Sequence, residues 1–168
     1  RHGPLRNAIA AQARRNLCDF APQNLSNLAW AFAKLTFCDR PLLDEMAGSA
    51  LSTISEMDRQ GLANTVWAFA ALAVFNAPLL SAISTQALQR ISAFNPQHLA
   101  NTAWALAKLT FTNLPLLDAI SAVSLRPMPA FGTQGLVNMM WAMAKLSVLQ
   151  RPLLDAVAAE VLRLLPGL

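Results

Sequence analysis

The sequence is poor in the residues on which catalysis, disulfide bonding and metal binding depend. Its 168 residues include no Tyr, two Cys and two His, and only 13% are charged. Cys18 and Cys38 are too few for a disulfide framework or a four-ligand zinc site, so we interpret them as free thiols. His2 and His98 have no Cys or carboxylate partner at the spacing of a catalytic or metal site, and no glycine-rich phosphate loop occurs. We therefore predict a protein that is not an enzyme and that uses no cofactor or metal.

Acidic residues are also scarce, and hydrophobic residues make up 55% of the chain. Nine Asp and Glu face 13 Lys and Arg, which gives a net charge of +4 and suits an anionic partner. Residues 60–89 contain no charge, which raises the question of a membrane span. Asn76 and Pro78 interrupt this segment, and its equivalents elsewhere in the chain carry lysines. The sequence therefore favours a buried helix pair over membrane insertion.

One phrase of the sequence occurs four times at a constant spacing of 37 residues. It reads NLSNLAWAFAKL at 24–35, GLANTVWAFAAL at 61–72, HLANTAWALAKL at 98–109 and GLVNMMWAMAKL at 135–146. A second phrase, PLLD or PLLS, follows in phase at Pro41, Pro78, Pro115 and Pro152. A fixed period of this length is typical of stacked repeats, in which each unit buries its apolar surface against its neighbours.

Apolar spacings of three and four residues predict two helices in each repeat. Helix A, which carries the Trp, is predicted at 22–36, 59–73, 96–110 and 133–147. Helix B, which begins with the PLL phrase, is predicted at 3–17, 40–55, 77–91, 114–125 and 151–165. Short connections make neighbouring helices antiparallel, so the predicted fold is an all-α, right-handed α-solenoid. We predict one array, made of a half repeat at 1–18 and full repeats at 19–55, 56–92, 93–129 and 130–168.

Helix A is predicted to have two different faces. Leu25, Leu28, Phe32 and Leu35 point toward the core. Gln23, Asn27, Trp30 and Lys34 lie on the opposite side, and the same offsets recur in every repeat. We call this set the stripe, and its candidate RNA-binding members are the lysines Lys34, Lys108 and Lys145, the tryptophans Trp30, Trp67, Trp104 and Trp141, and the asparagines Asn27, Asn64, Asn101 and Asn138.

Two interpretations of the stripe stay open. Asn and Trp could lock adjacent A helices together, with the amide satisfying a backbone group and the indole filling the space between repeats. Alternatively, Trp could stack on bases while Lys meets phosphates. The lysines fit the second use better, because a lysine on an apolar helix must reach water or an anion. Among the positions that vary between A helices, only Asn24, Ser26 and His98 could read a base edge, so sequence-specific recognition is weakly supported.

The phrase LxNxxWAxAKL, led by Phe-x-Pro-Gln at 20–23 and 94–97 and followed by PLLD, resembles the heptatricopeptide and octotricopeptide repeats of algal, dinoflagellate and apicomplexan organelles. Tetratricopeptide repeats fit worse, because their period is 34 and their pattern uses Tyr. The resemblance implies an α-solenoid that works on mitochondrial or plastid RNA, either single-stranded or ribosomal. The resulting hypothesis is an RNA-binding or ribonucleoprotein-associated protein of organellar gene expression. The alternative is a protein–protein scaffold or structural subunit of a ribosome or of a photosynthetic or respiratory complex. Neither hypothesis involves a small-molecule substrate.

Overall fold

The computed structural model describes residues 3–126, 128–148 and 150–164, so His2 lies outside the described part. In that part the secondary structure is helical and contains no strand. The α-helices are α1 (Gly3–Asn16), α2 (Pro22–Lys34), α3 (Arg40–Ser52), α4 (Arg59–Ala71), α5 (Ala77–Gln89), α6 (Pro96–Lys108), α7 (Leu114–Ser124), α8 (Thr133–Lys145) and α9 (Arg151–Leu164).

The helices form two layers. The A helices α2, α4, α6 and α8 pack on one another in chain order, and so do the B helices α1, α3, α5, α7 and α9. Each A helix also contacts the B helix that follows it. This arrangement confirms the predicted all-α solenoid of stacked helix pairs. The division into units at 19, 56, 93 and 130 stays a prediction.

Side-chain caps explain where most helices begin. The carboxylate or amide oxygen of the residue before the helix accepts a hydrogen bond from a backbone N–H of the first turn, which would otherwise have no partner. Proline in the first turn adds a preset φ in α3, α5, α6 and α7. The capping residues are Asp39, Asp58, Asn76, Asn95 and Asn113.

Small residues let the A helices approach one another closely. Ala68, Ala105 and Ala142 occupy one repeat position and are completely buried. Their equivalent in α2, Ala31, is only half-buried, because no described A helix precedes α2. The spacing of two packed helices depends on the side chains between them, so alanine at this position brings the axes together. The sequence predicts that Leu35 points toward the core. This prediction is wrong, because Leu35, directly after the end of α2, is 48% exposed.

None of the helices in the described ranges is long and apolar enough to cross a membrane. The segment at 60–89 forms α4 and α5, whose apolar faces meet the helices around them. Packing of these two helices thus accounts for the absence of charge at 60–89, in agreement with the buried helix pair that the sequence predicts.

The A helices end two residues earlier than the sequence predicted. Thr36, Ala73, Thr110 and Ser147 adopt φ values of 51° to 55°, in the left-handed region, and so terminate the helix. In the first repeat the Phe37 N–H donates to the Phe32 carbonyl at 2.9 Å, which is the Schellman pattern. Glycine normally signals such an end, and its absence here explains why the sequence pattern missed it.

We expect Ala73→Gly to stabilise the protein. The left-handed conformation costs a residue with a Cβ about 1–2 kcal/mol, and part of this strain is relieved by glycine. The free energy of unfolding should therefore rise by about 1 kcal/mol in a urea titration. The matched control is Ala71→Gly, which is also exposed and is the last residue of α4, where the backbone is still helical. Glycine there should not raise the free energy of unfolding, because it relieves no left-handed strain and adds freedom to the unfolded chain. Equal effects of the two changes would contradict the strain at Ala73.

Candidate functional site

The stripe lies on the outer surface of the A layer. Its Gln and Lys positions are exposed in every repeat, including Ala71, which replaces lysine in the second. Asn27 is exposed, and the other three stripe asparagines are half-buried. Because successive A helices run in the same direction, equivalent side chains line up across the layer. One face of the protein therefore carries rows of amides, indoles and ammonium groups.

The tryptophans form a continuous ladder over at least three repeats. The ring centroids of Trp67 and Trp104 are 6.4 Å apart, and those of Trp104 and Trp141 are also 6.4 Å apart. The planes are tilted by 32° and 35°, and the centroid distance lies within the range of an aromatic contact. Trp30 and Trp141 are 43% and 41% exposed, whereas the two between them are half-buried. The indoles thus pack against each other and still present surface to solvent.

The stripe lysines are exposed at the C-terminal ends of their helices. Lys34 holds its Nζ 5.7 Å from the centroid of the Trp30 ring, within cation–π range. In the part of the chain that the structure describes, none of the three lysines forms an ion pair. Ion pairs occur instead in the B layer, where Arg14 contacts Glu45 at 2.6 Å and Arg40 contacts Asp44 at 3.0 Å. The helix dipole favours a cation at these ends, and the ammonium groups remain available to an anion.

The net positive charge of the protein resides on the A helices. These four helices contain no Asp or Glu, and their Lys and Arg residues are Lys34, Arg59, Lys108 and Lys145. The nine other cationic residues are matched in number by the nine acidic ones, all of which lie outside the A helices. The segregation can be read from the sequence once helix bounds are known. Arg59, which lies outside the repeated stripe, adds one of these four positive charges and is not indicated by the repeat pattern.

Amides and open clefts mark the N-terminal end of the stripe. Gln134 Nε2 donates to Asn138 Oδ1 at 2.8 Å, and Gln23 Nε2 donates to Asn27 Oδ1 at 3.4 Å. A cleft of about 380 Å³ separates the starts of α6 and α8 and is lined by polar groups that include Gln97, Asn101, Gln134 and Asn138. The equivalent cleft between α2 and α4 has about 190 Å³. Gly135 lines the first cleft and Gly61 lines the second. The residue at the equivalent position of α6 is His98.

His98 has a structural role at the start of α6. Its backbone N–H donates to Asn95 Oδ1 at 2.8 Å, and its Nδ1 lies 3.5 Å from the Asn95 backbone nitrogen, which completes a capping box. Nδ1 can accept this bond only when the ring is not protonated there. Burial, assisted by the positive charge of Arg59, lowers the pKa of His98 below its ordinary value of 6.5. The geometry therefore favours a neutral capping imidazole over a ligand.

We expect His98 to make folding sensitive to mild acid. A lowered pKa means that the unfolded chain binds the proton more readily, so stability is complete above pH 6.5 and is lost as the pH falls through the folded-state pKa. His98→Gln cannot titrate but can still form a capping box. Urea midpoints at pH 7.5 and pH 5.5 should therefore fall more for the wild type than for His98→Gln. Identical falls would show that the pKa of His98 is the same in the folded and unfolded states.

The structure offers little for chemistry elsewhere. Among the described residues, no group of three or more His, Cys, Asp or Glu side chains could hold a metal ion. Cys18 and Cys38 are free and exposed. The stripe is therefore the surface that best combines aromatic, amide and cationic groups.

Comparison with known proteins shows a family to which most of the chain is similar. Residues 1–152 match the sequence model of the family described as RESC6, RNA-editing substrate-binding complex 6 protein. No curated protein matches the chain. The match covers most of the chain, and it includes every A helix.

Proposed function

Because the chain belongs to the RNA-editing substrate-binding complex 6 family, we propose that it is a non-catalytic component of an RNA-editing complex and contacts RNA through the stripe. The family name accords with the RNA-associated function that the sequence predicted. It does not mention heptatricopeptide or octotricopeptide repeats, so that finer assignment stays a prediction.

The observation that carries the proposal is the exposed stripe of the A helices, which contain four cationic residues and no Asp or Glu. Lysine ammonium groups on this face can contact phosphates, and the tryptophan ladder offers flat rings on which unpaired bases can stack. Stripe amides beside the clefts can donate to and accept from base or sugar groups. Such a combination suits single-stranded RNA, whose bases are accessible, better than a duplex. Ribosomal RNA, which only the repeat resemblance implies, is the less supported target.

Organellar location is part of the proposal. The repeat resemblance implies a mitochondrion or a plastid, and an RNA-editing complex favours the mitochondrion of the two. Other subunits of the complex are the expected protein partners. A scaffold that touches only protein is the alternative function, and the 55% share of hydrophobic residues favours it.

We expect neutralising the three stripe lysines to weaken RNA binding and to reduce its salt dependence. A variant with Lys34→Gln, Lys108→Gln and Lys145→Gln should bind a labelled single-stranded RNA less tightly at every salt concentration. Each phosphate contact to a single strand contributes about 0.7 to the slope of log K against log salt. Loss of three contacts should therefore reduce the slope by about 2 in fluorescence anisotropy titrations.

The matched control removes the same charge from the opposite layer. Arg15, Arg126 and Arg151 are exposed and lie outside the A helices, so changing all three to Gln lowers the net charge equally. This control should retain most of the affinity and the slope. Equal losses in both variants would show that net charge acts without regard to position. Absence of binding by the wild type at low salt would favour the protein-only scaffold.

The tryptophans should separate into two roles. Trp30→Ala removes a ring that is 43% exposed, so it should weaken RNA binding about 10-fold, as expected for one stacked base, with a smaller loss of stability than Trp104→Ala. Trp104→Ala removes a ring that contacts two neighbours at 6.4 Å. Its loss should lower the free energy of unfolding by about 1–3 kcal/mol. RNA titrations and urea melts measure the two effects, and unchanged RNA affinity in Trp30→Ala would limit this ring to packing.

A further inference from the structure

The cleft between the starts of α6 and α8 and its equivalent between α2 and α4 have different linings. Two carboxylates, those of Glu56 and Asp58, line the α2–α4 cleft. Their equivalents 74 residues later are Ala130 and Gly132, which line the α6–α8 cleft. Among the described residues, the lining of the α6–α8 cleft includes no charged side chain and no histidine. The loss of two side chains leaves about 380 Å³ in place of about 190 Å³.

The repeat between these two clefts shows which kind of group can fill such a space. His98 stands at the position of Gly61 and Gly135. Its imidazole packs edge-on against Phe94, with ring centroids 5.7 Å apart and planes at 80°. The charges of Arg59 and Asp58 act on the pKa of His98, so the ring lies toward the start of α4. Between α4 and α6, the chain therefore supplies a flat heterocycle of its own.

Between α6 and α8, the equivalent side chain is missing because residue 135 is glycine. A Cβ placed on Gly135 would lie 3.3 Å from Phe131 Cδ1 and 3.8 Å from Ala100 Cβ. Phe131 is the equivalent of Phe94, so the space beside Gly135 borders the same ring that His98 contacts one repeat earlier. Phe131 is only 4% exposed, and the packing around it holds its ring in place. A flat ring in this cleft can therefore make the edge-to-face contact that His98 makes with Phe94.

Amide side chains supply the polar part of the lining. Gln134 Nε2 donates to Asn138 Oδ1 at 2.8 Å, which leaves Asn138 Nδ2 as a donor and Gln134 Oε1 as an acceptor. Gln97 and Asn101 bring the same two kinds of group from α6. This lining suits a neutral, flat molecule with donors and acceptors along its edge, as in an unpaired nucleobase. A phosphate would find no cation among the side chains that line the cleft.

We propose that the α6–α8 cleft binds one unpaired base of RNA. The base lies against Phe131, in the place that His98 takes one repeat earlier, and its edge meets the stripe amides. This inference rests on the proposed function, because it needs RNA on the stripe, and it adds a site for a single base. The cleft volume falls within the range of about 300–1,000 Å³ that is usual for small-ligand sites.

The position of the cleft fits a strand that continues along the stripe. Trp104 and Trp141 come seven residues after Gln97 and Gln134 on the same helices, so neighbouring bases can reach the tryptophan ladder. The α2–α4 cleft is a poor site for a base, because it is smaller and its carboxylates repel the phosphates of the strand. The proposal therefore assigns the site to the last two A helices only.

Gly135→His tests the cleft by copying the preceding repeat. The imidazole should occupy the place of the base, so the affinity for a labelled single-stranded RNA should fall about 10-fold, the contribution of one stacked base. Fluorescence anisotropy titrations at a pH of about 8 keep the imidazole uncharged. The slope of log K against log salt should not change, because no phosphate contact is lost.

Gly48→His is the matched control for the added side chain. Gly48 is exposed on α3 in the B layer, and a Cβ there lies more than 4 Å from the other described side chains. This variant also replaces a helical glycine by histidine, but it leaves the cleft open. It should bind RNA as the wild type does.

Removal of the amides is a second test, which adds no bulk to the cleft. Gln134→Ala combined with Asn138→Ala should weaken RNA binding about 5-fold or more through lost hydrogen bonds. Gln23→Ala combined with Asn27→Ala is the matched control, because this pair makes the same contact beside the smaller, acidic cleft. The control should lose less affinity, and urea melts of all variants show whether each one is folded.

The outcomes separate this proposal from the proposed function. If Gly135→His and the amide variant both bind as their controls do, while the triple lysine variant is weakened, the base site is overturned and RNA binding by the stripe stands. If the wild type does not bind RNA at low salt, both are overturned. Weakened binding by both cleft variants, with an unchanged salt slope for Gly135→His, is the result expected of a base in the cleft.

Discussion

Close packing between A helices is the constraint on which the rest of the structure depends. Alanines at 68, 105 and 142 are fully buried where one A helix meets the preceding one. A larger side chain there would separate the axes, and the indole contacts at 6.4 Å would be lost. Small residues in the interior thus fix the spacing of large residues on the surface. Each repeat supplies one tryptophan of the ladder, and the packing of the A helices sets the distance between successive rings.

The same packing divides the chemistry of the protein between its layers. A helices must present small apolar residues on two sides to their neighbours and apolar residues to the B layer. One narrow side is left for polar groups, and it holds the stripe. Acidic residues serve instead as caps, as with Asp39 and Asp58, or pair with arginines in the B layer. An anion that approaches the C-terminal ends of the A helices therefore meets the stripe lysines, whereas Glu56 and Asp58 line the cleft at the N-terminal end of α4.

Much of the fold was predictable because proline, asparagine and aspartate mark helix starts by local chemistry. Helix ends were less predictable, since Thr36 and Ala73 adopt a left-handed conformation that their types seldom signal. The stripe was identified from periodicity alone, but its division into packed and exposed indoles depends on neighbours. Trp30 and Trp104 have similar local sequences, NLAWAFAKL and NTAWALAKL, and different surroundings. Likewise, nothing local distinguishes Val137 as exposed from Ala100 as buried.

The tryptophan ladder has different surroundings along its length. Trp104 contacts Trp67 and Trp141, with ring centroids 6.4 Å away on both sides, and it is half-buried. Trp30 and Trp141, the first and last of the four, are 43% and 41% exposed. A ring held between two others has little surface left for a base, whereas an outer ring keeps a larger part of its surface open. The packing that orders the ladder therefore also limits which of its rings can take part in the proposed stacking with RNA.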